Sequence, residues 1–267
     1  MVQIKYISGT LLLVLLNVIV FSIFSEPNPA NSTQYLDCLI QNAPQCLVPV
    51  SENEAINCAS GIDPKASVDV RNCLYNISPS CARESTTNIC LSPTEKTING
   101  LSFQPYSFSH GRNLESVLTS MFMHVDSNHL WGNMIALVLA GMYVERRLGT
   151  IKYLLFYISV GILATLFYYA FNTESTTYLL GASGAISGLF SASLILHFFK
   201  PVENYVSVPR LNVSYLVISI ALQFMYAFFR PESNVAYLGH VGGIIFGVLM
   251  VFVLKKRTDS YITTPVD

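Results

Sequence analysis

A serine flanked by small residues lies near the start of a long apolar stretch. Ser183 stands in the run Gly181-Ala-Ser-Gly-Ala, about five residues into the stretch Tyr178–Phe199. A serine hydroxyl attacks a carbonyl when a neighbouring base takes its proton, and small neighbours leave that hydroxyl accessible. Small residues also line contacts between membrane helices, and taken alone the serine fits such a packing face better. The run is not the nucleophile elbow of α/β-hydrolases, because Ala185 stands where that motif requires glycine.

A histidine lies at a similar depth in another apolar stretch. His240 follows about five residues into Val235–Leu254. A neutral imidazole can remove a serine proton during attack on a carbonyl, whereas the alternative is a histidine bonded to a backbone carbonyl. Glycines recur every four residues around it, which predicts a helix face without side chains that packs very closely on another helix. These helix-packing glycines are Gly239, Gly243 and Gly247.

Two further polar residues share one face of a predicted helix. His129 and Asn133 are four residues apart, and this spacing places side chains on the same helical face. Acyl transfer develops negative charge on the carbonyl oxygen, and each donor fixed around that oxygen in a dry site is commonly worth about 3 kcal/mol. The alternative is a pair of interhelical hydrogen bonds, which average about 0.6 kcal/mol. We expect both side chains, with the Ser183 backbone N–H, to form an oxyanion site.

The four polar residues fall on one side and at one depth of three apolar stretches, which scattered packing groups would rarely do. Because no Asp or Glu lies in the outer halves of the stretches that carry Ser183 and His240, the sequence predicts a Ser–His dyad. A metalloprotease built on His124, Asp126 and His129 is not favoured, since the HExxH motif with its glutamate base is missing. We expect neither a metal nor an organic cofactor.

The composition requires a lipid bilayer as the solvent of this chain. Of its 267 residues, 52% are hydrophobic and 12% are charged. Its net charge of −1, without a basic stripe, argues against nucleic acid as a partner. The predicted fold is an all-α polytopic membrane protein with six transmembrane helices, since a span takes about 20 apolar residues. The six runs are Tyr6–Phe24, Met121–Val144, Tyr153–Phe171, Tyr178–Phe199, Leu211–Phe229 and Val235–Leu254.

Basic residues near the ends of these runs predict the orientation. They fall on one side if six helices alternate, which places both termini in the cytosol. The first run is interpreted as an uncleaved anchor, because Ile7–Phe24 is long for the apolar part of a signal peptide. The predicted organisation is an N-terminus with the first helix at 1–24, an extracytosolic loop at 25–115, a helical core at 116–257 and a cytosolic tail at 258–267.

The long loop between the first two runs contains every cysteine of the chain. An even number of cysteines on the non-cytosolic side predicts up to three disulfides, with 15 pairings open. Structural zinc is the lesser alternative, because close CxxC pairs are missing. Asn31 and Asn76 lie in sequons of the same loop and are candidate glycosylation sites. The candidate disulfide residues are Cys38, Cys46, Cys58, Cys73, Cys81 and Cys90.

Four motifs of this sequence resemble those of the rhomboid family of intramembrane serine proteases, over roughly Ser116–Leu254. The family's histidine and asparagine motif is resembled by the segment His124-x4-His129-Leu-x2-Asn133 of this sequence. Its GxxxExRxG element is resembled by the segment Gly141-x3-Glu145-Arg-Arg147-x-Gly149. The family's GxSG nucleophile motif is matched by Gly181-Ala-Ser183-Gly, and its histidine helix is resembled by Gly239-His240-Val-Gly-Gly.

The resemblance implies a six-helix core that cleaves transmembrane segments of single-span or other membrane proteins near the outer face. Ser183 is then the nucleophile and His240 the base, while His129, Asn133 and Gly181 support the active site and His124 lies in its outer shell. One departure is Ser187, which stands where the family usually has an aromatic residue that packs on the histidine ring. Phe190 or Tyr237 could substitute for that aromatic.

Two alternatives remain open beside a protease. A catalytically silent rhomboid-like protein would keep the fold and bind membrane clients without cutting them, although such proteins typically lose the serine or the histidine. A channel or transporter is disfavoured, because these polar residues lie only in the outer third of the predicted helices and do not form a path across the bilayer. We expect a multi-pass protein of the secretory pathway or cell surface. Its substrate, compartment and oligomeric state are not encoded in a readable pattern.

Overall fold

The computed structural model describes residues 8–24, 93–199 and 237–259, together with Val217 and Ala221. Within these residues the chain is helical and contains no β-strand. All six cysteines, both loop sequons and residues 260–267 of the predicted C-terminal tail lie outside the described residues, as does nearly all of the predicted fifth span Leu211–Phe229.

The described chain forms eight α-helices, here named α1 to α8, and one 3₁₀ turn at Ser120–Phe122. Three of these helices have nine residues or fewer. In chain order the helices are α1 Gly9–Phe24, α2 Pro93–Leu101, α3 Pro105–Ser109, α4 Ser116–Thr119, α5 Ser127–Leu148, α6 Thr150–Phe171, α7 Ser183–Phe199 and α8 Tyr237–Asp259.

Five of these helices overlap predicted membrane spans, namely α1, α5, α6, α7 and α8. Among the described residues, α6 and the segment Tyr237–Leu254 of α8 are long and apolar enough to cross a membrane. The segments Gly9–Phe24 and Ser183–Phe198 are apolar but shorter. The chain divides into two compact units, and the first contains the described parts of Met1–Ser22, Val117–Asn172 and Leu179–Asp267.

The second unit contains the described parts of Ile23–Ser116 and Thr173–Tyr178. Hydrogen bonds join its two segments, since Tyr106 N donates to Ser175 O at 3.0 Å and Gln104 Nε2 donates to Thr176 O at 2.7 Å. The segment after α6 is therefore paired through its backbone carbonyls with the segment around α3.

The core of the first unit lies where α5, α6 and α7 meet. Leu137 of α5, Phe156, Tyr157 and Val160 of α6, and Leu189 of α7 are fully buried. Because lipid tails are as apolar as these side chains, such helices are held together by close packing and interhelical hydrogen bonds.

Two predicted helix starts were wrong. The second span was predicted from Met121, but α5 begins at Ser127, where the Asp126 carboxylate caps the helix by accepting a 2.8 Å hydrogen bond from His129 N. The fourth was predicted from Tyr178, but α7 begins at Ser183, two residues after Gly181, whose φ of +120° cannot be helical. Apolar residues stand on both sides of each helix start, so a hydropathy window cannot locate the residue at which the helix begins.

A single carboxylate anchors the start of α1. Glu145, at the end of α5, accepts hydrogen bonds from Gly9 N at 2.6 Å, from Thr10 N at 3.0 Å and from Thr10 Oγ1 at 2.8 Å. It also accepts from the hydroxyls of Ser8 and Thr150, and Thr150 is the first residue of α6. The first N–H groups of a helix have no partner within the helix, so Glu145 satisfies α1 from a distant part of the chain.

The close approach of α7 and α8 depends on glycine. A Cβ atom on Gly243 would overlap the carbonyl of Gly184, and one on Gly247 would lie 2.5 Å from the carbonyl oxygen of Gly188. Ser191 Oγ bridges the two helices by donating to the Ile244 carbonyl at 3.0 Å. Two of the three predicted packing glycines thus bring these helices together.

Gly239 differs from the other two predicted packing glycines. Its added Cβ would lie 3.9 Å from Ala164 O and from Tyr168 Cβ, which are ordinary contacts with α6. Along α8 the tightest approach to α7 is therefore at Gly243 and Gly247, while Gly239 lies at ordinary contact distance from α6.

We expect Glu145→Gln to loosen the start of α1. The substitution keeps the shape but removes the charge that strengthens these hydrogen bonds, and a bond to a charged group contributes about 1.5–3 kcal/mol. Amide hydrogen exchange at Gly9 and Thr10 should become at least about tenfold faster. The matched control is Glu174→Gln at an exposed carboxylate. Unchanged protection of α1 in Glu145→Gln would contradict this account.

Candidate active site

The predicted serine and histidine are in direct contact. His240 Nε2 lies 2.8 Å from Ser183 Oγ, which is hydrogen-bonding distance. Ser183 is the first residue of α7 and His240 is the fourth of α8, so both lie at one end of the closely packed helix pair. An imidazole in this place can accept the hydroxyl proton through Nε2.

The turn before α7 places Ser183 at the start of a helix. Gly181 has φ +120°, a conformation that L side chains rarely adopt, and its N–H donates to Ser120 O at 2.8 Å. The Ala182 carbonyl accepts the first helical bond, from Ile186 N at 3.0 Å. N–H groups in the first turn have no acceptor within the helix, and they carry the positive end of its dipole. An oxyanion that forms at Ser183 would meet these donors.

His129 and Asn133 lie beside this turn. A Cβ atom on Gly181 would be 2.8 Å from His129 Cε1, 3.0 Å from His129 Nε2 and 3.7 Å from Asn133 Nδ2. Asn133 Nδ2 donates to His129 O at 3.0 Å, and since an amide NH₂ carries two hydrogens, a second remains for a ligand. The structure thus brings both predicted donors to the residue that stands two positions before Ser183.

His124 is buried, and its ring lies edge to face with His129 at a centroid separation of 5.1 Å. It stands in the connection before α5, outside any helix. Asp126, the other member of the metal alternative, is engaged in capping α5. In the part of the chain that the structure describes, no group of three His, Cys, Asp or Glu side chains is arranged to hold a metal ion.

Comparison with known proteins identifies the family. Residues 111–257 match the model of the Rhomboid domain, which is more than half of the chain. The chain belongs to the rhomboid family. Its helices are accordingly those of a membrane-embedded protein, and the four motifs that carried the resemblance all fall inside the matched region.

Several curated relatives are named as rhomboid proteases. Rhomboid protease AarA of Providencia stuartii is 35% identical over an alignment of 148 positions, which covers 49% of this chain and 52% of AarA. The putative rhomboid protease YdcA of Bacillus subtilis is 27% identical over 144 positions, which cover 54% of this chain and 68% of YdcA. The Rhomboid-like protein 14, mitochondrial, of Arabidopsis thaliana is 27% identical over 179 positions, which cover 64% of this chain and 51% of that protein. The chain thus spans about half the length of AarA.

Ser187 stands where the resemblance implies an aromatic residue that packs on the histidine, and the structure shows the contacts of both residues. Ser187 Oγ donates to the Ser183 carbonyl at 2.8 Å. Of the two aromatic residues considered as substitutes, Tyr237 is the one in ring contact with His240, at a centroid separation of 5.7 Å and an interplanar angle of 89°.

Two features of this rhomboid site escaped the sequence reasoning. The positive φ of Gly181 and the position of Ser183 at the first residue of α7 set the direction of the hydroxyl, yet both depend on a turn. The sequence signal that could have indicated this turn is the glycine two residues before the serine, since glycine is the residue that tolerates positive φ.

We expect Gly181→Ala to destabilise the rhomboid fold at this turn. The new side chain would be strained at φ +120° and would press on His129, and strain of this kind costs about 1–3 kcal/mol. The control is Gly132→Ala in α5, where an added Cβ has no neighbour within 4 Å. Denaturation in detergent micelles should show a loss for Gly181→Ala and none for Gly132→Ala. Equal stability of the two variants would refute the assigned turn.

Proposed function

We propose that this chain is an intramembrane serine endopeptidase of the rhomboid type that cleaves transmembrane segments of other proteins. The observation that carries the proposal is the 2.8 Å contact between Ser183 Oγ and His240 Nε2 across two helices. Membership of the rhomboid family and the protease names of the relatives support the same reaction.

In the proposed mechanism, Ser183 and His240 act in one step. His240 Nε2 takes the hydroxyl proton as Ser183 Oγ attacks the scissile carbonyl and forms a tetrahedral intermediate. The imidazolium then gives this proton to the leaving amine, which leaves an acyl group on Ser183. In the second half, His240 takes a proton from water, the resulting hydroxide attacks the acyl carbon, and Ser183 is released with its proton.

The oxyanion of each intermediate would be stabilised by the start of α7 and by α5. The Ser183 N–H belongs to the first turn of α7, and the side chains of His129 and Asn133 lie at Gly181. Preorganised donors of this kind reduce the barrier because they need not reorient as charge develops. The reaction requires neither a metal nor a cofactor, since base, nucleophile and donors all belong to the chain.

The histidine acts without an acidic partner in this proposal. Among the described residues, no group bonds His240 Nδ1, which is buried. In Ser-His-Asp enzymes the acid holds the imidazole in the correct tautomer and orientation. A Ser–His dyad therefore needs another means of holding the ring.

The proposed setting follows the orientation predicted from the basic residues. Both termini face the cytosol, and the site opens toward the extracytosolic side, where it cuts single-span or other transmembrane proteins near that face. The loop at 25–115 is then lumenal or extracellular, with disulfides among its cysteines and glycans at Asn31 and Asn76. The protein resides in the secretory pathway or at the cell surface.

Loss of either dyad residue should abolish cleavage without loss of folding. We expect Ser183→Ala and His240→Ala each to reduce fragment release at least about 10³-fold, since nucleophile and base serve the same step. Each variant is co-expressed with tagged single-span proteins, and the fragment released to the outside is measured. The control is Ser193→Ala, which removes a buried serine of the same helix α7.

Three outcomes are informative. A fragment with wild type and Ser193→Ala, but not with the dyad variants, supports the protease. Turnover by folded Ser183→Ala protein contradicts it. A panel that stays uncut by all four folded proteins at the surface favours the catalytically silent, client-binding alternative.

A further inference from the structure

Two contacts of the His240 imidazole are defined in the described chain. Its Nε2 is bonded to Ser183 Oγ, and its ring meets Tyr237. The ring is attached to α8 through Cβ–Cγ and is held at Nε2 by this hydrogen bond, so its remaining freedom is rotation about the line that joins these two points. A contact with the ring itself therefore limits this rotation and fixes the plane of the imidazole.

The surface of α7 that faces Gly243 has Ser187, a residue without an aromatic ring, at this level. Its residues toward α8 are small, and a Cβ on Gly243 would lie 3.3 Å from Ser187 Cβ, so the two helices already touch there. The Ser187 hydroxyl is directed to its own helix, where it donates to the Ser183 carbonyl. At this level of the interface α7 therefore presents a small side chain, and Ser187 has no ring that could pack on the imidazole.

Tyr237 orients the ring from within α8. It stands three residues before His240, and residues three apart lie on the same face of a helix. The perpendicular arrangement at 5.7 Å is a preferred geometry of aromatic pairs, in which the positive edge of one ring meets the negative face of the other. The contact involves the first residue of α8, so it also ties the start of that helix to the site.

We propose that Tyr237 is the positioning residue of the dyad: its aromatic ring holds the His240 imidazole in the plane that directs Nε2 at Ser183. This inference rests on the proposed protease function. It assigns to a residue of the same helix the orienting task that an acid performs in Ser-His-Asp enzymes. The ring is the required group, so phenylalanine should replace tyrosine and an aliphatic residue should not.

Kinetics on purified full-length protein in lipid vesicles test this role. The substrate is a tagged single-span protein cut by wild type. We expect Tyr237→Leu to reduce kcat about 2- to 10-fold with KM within about twofold, the loss that an aromatic pair contact would give. Tyr237→Phe should stay within about twofold of wild type in both constants. The control is Phe171→Leu, which removes an exposed ring at the end of α6.

A spectroscopic measurement separates this inference from the proposed function. In protein labelled with ¹³C-histidine, the His240 signal is assigned by its loss in His240→Gln. Tyr237→Leu should shift that signal by removing the ring current of Tyr237, and Phe171→Leu should not. If wild type cleaves nothing, the proposed function fails while this shift still tests the contact. An unchanged His240 signal, an unchanged kcat in Tyr237→Leu, or an equal fall in Tyr237→Phe overturns the positioning role.

Discussion

The close approach of α7 to α8 is the contact on which the candidate site depends. Gly243 and Gly247 remove side chains from α8 where it crosses the Gly184 and Gly188 backbone of α7. In a bilayer the hydrophobic effect does not drive helices together, so small residues and interhelical hydrogen bonds such as that of Ser191 hold this pair. One end of the same interface carries the serine and the histidine, and a wider separation of the helices would take the imidazole out of reach.

Two carboxylates of the described chain, Asp126 and Glu145, stabilise the architecture and take no part in the proposed chemistry. Asp126 caps α5 and thereby orients its first turn, which contains His129. Glu145 caps α1 and also contacts the first residue of α6. Both acids accept from N–H groups at helix starts that have no partner within the helix, and those bonded by Glu145 are buried. The dyad is then completed by packing, since small residues bring Ser183 to His240 and an aromatic ring of α8 lies against the imidazole.

The helical class could be predicted from the sequence, as could the residues of the candidate site that share a helix face, because apolar runs and helical spacings are local properties. Charge-free runs identified five helices of the structure, and four-residue spacings placed Gly243 with Gly247 and His129 with Asn133 on shared faces. The start of α7 was mispredicted because Tyr178–Ala182 is as apolar outside a helix as within one. The cap at Glu145 could not be predicted, since its partners lie more than 130 residues earlier in the chain.

The most direct test of the account is to locate the reactive serine. Purified wild type and His240→Ala are incubated with a fluorophosphonate, which acylation-competent serines attack, and the adduct is mapped by peptide mass spectrometry. The account predicts one adduct, on Ser183, in wild type and its loss in folded His240→Ala. An adduct on another residue, or equal labelling of Ser183 in both proteins, would contradict the claim that His240 activates Ser183.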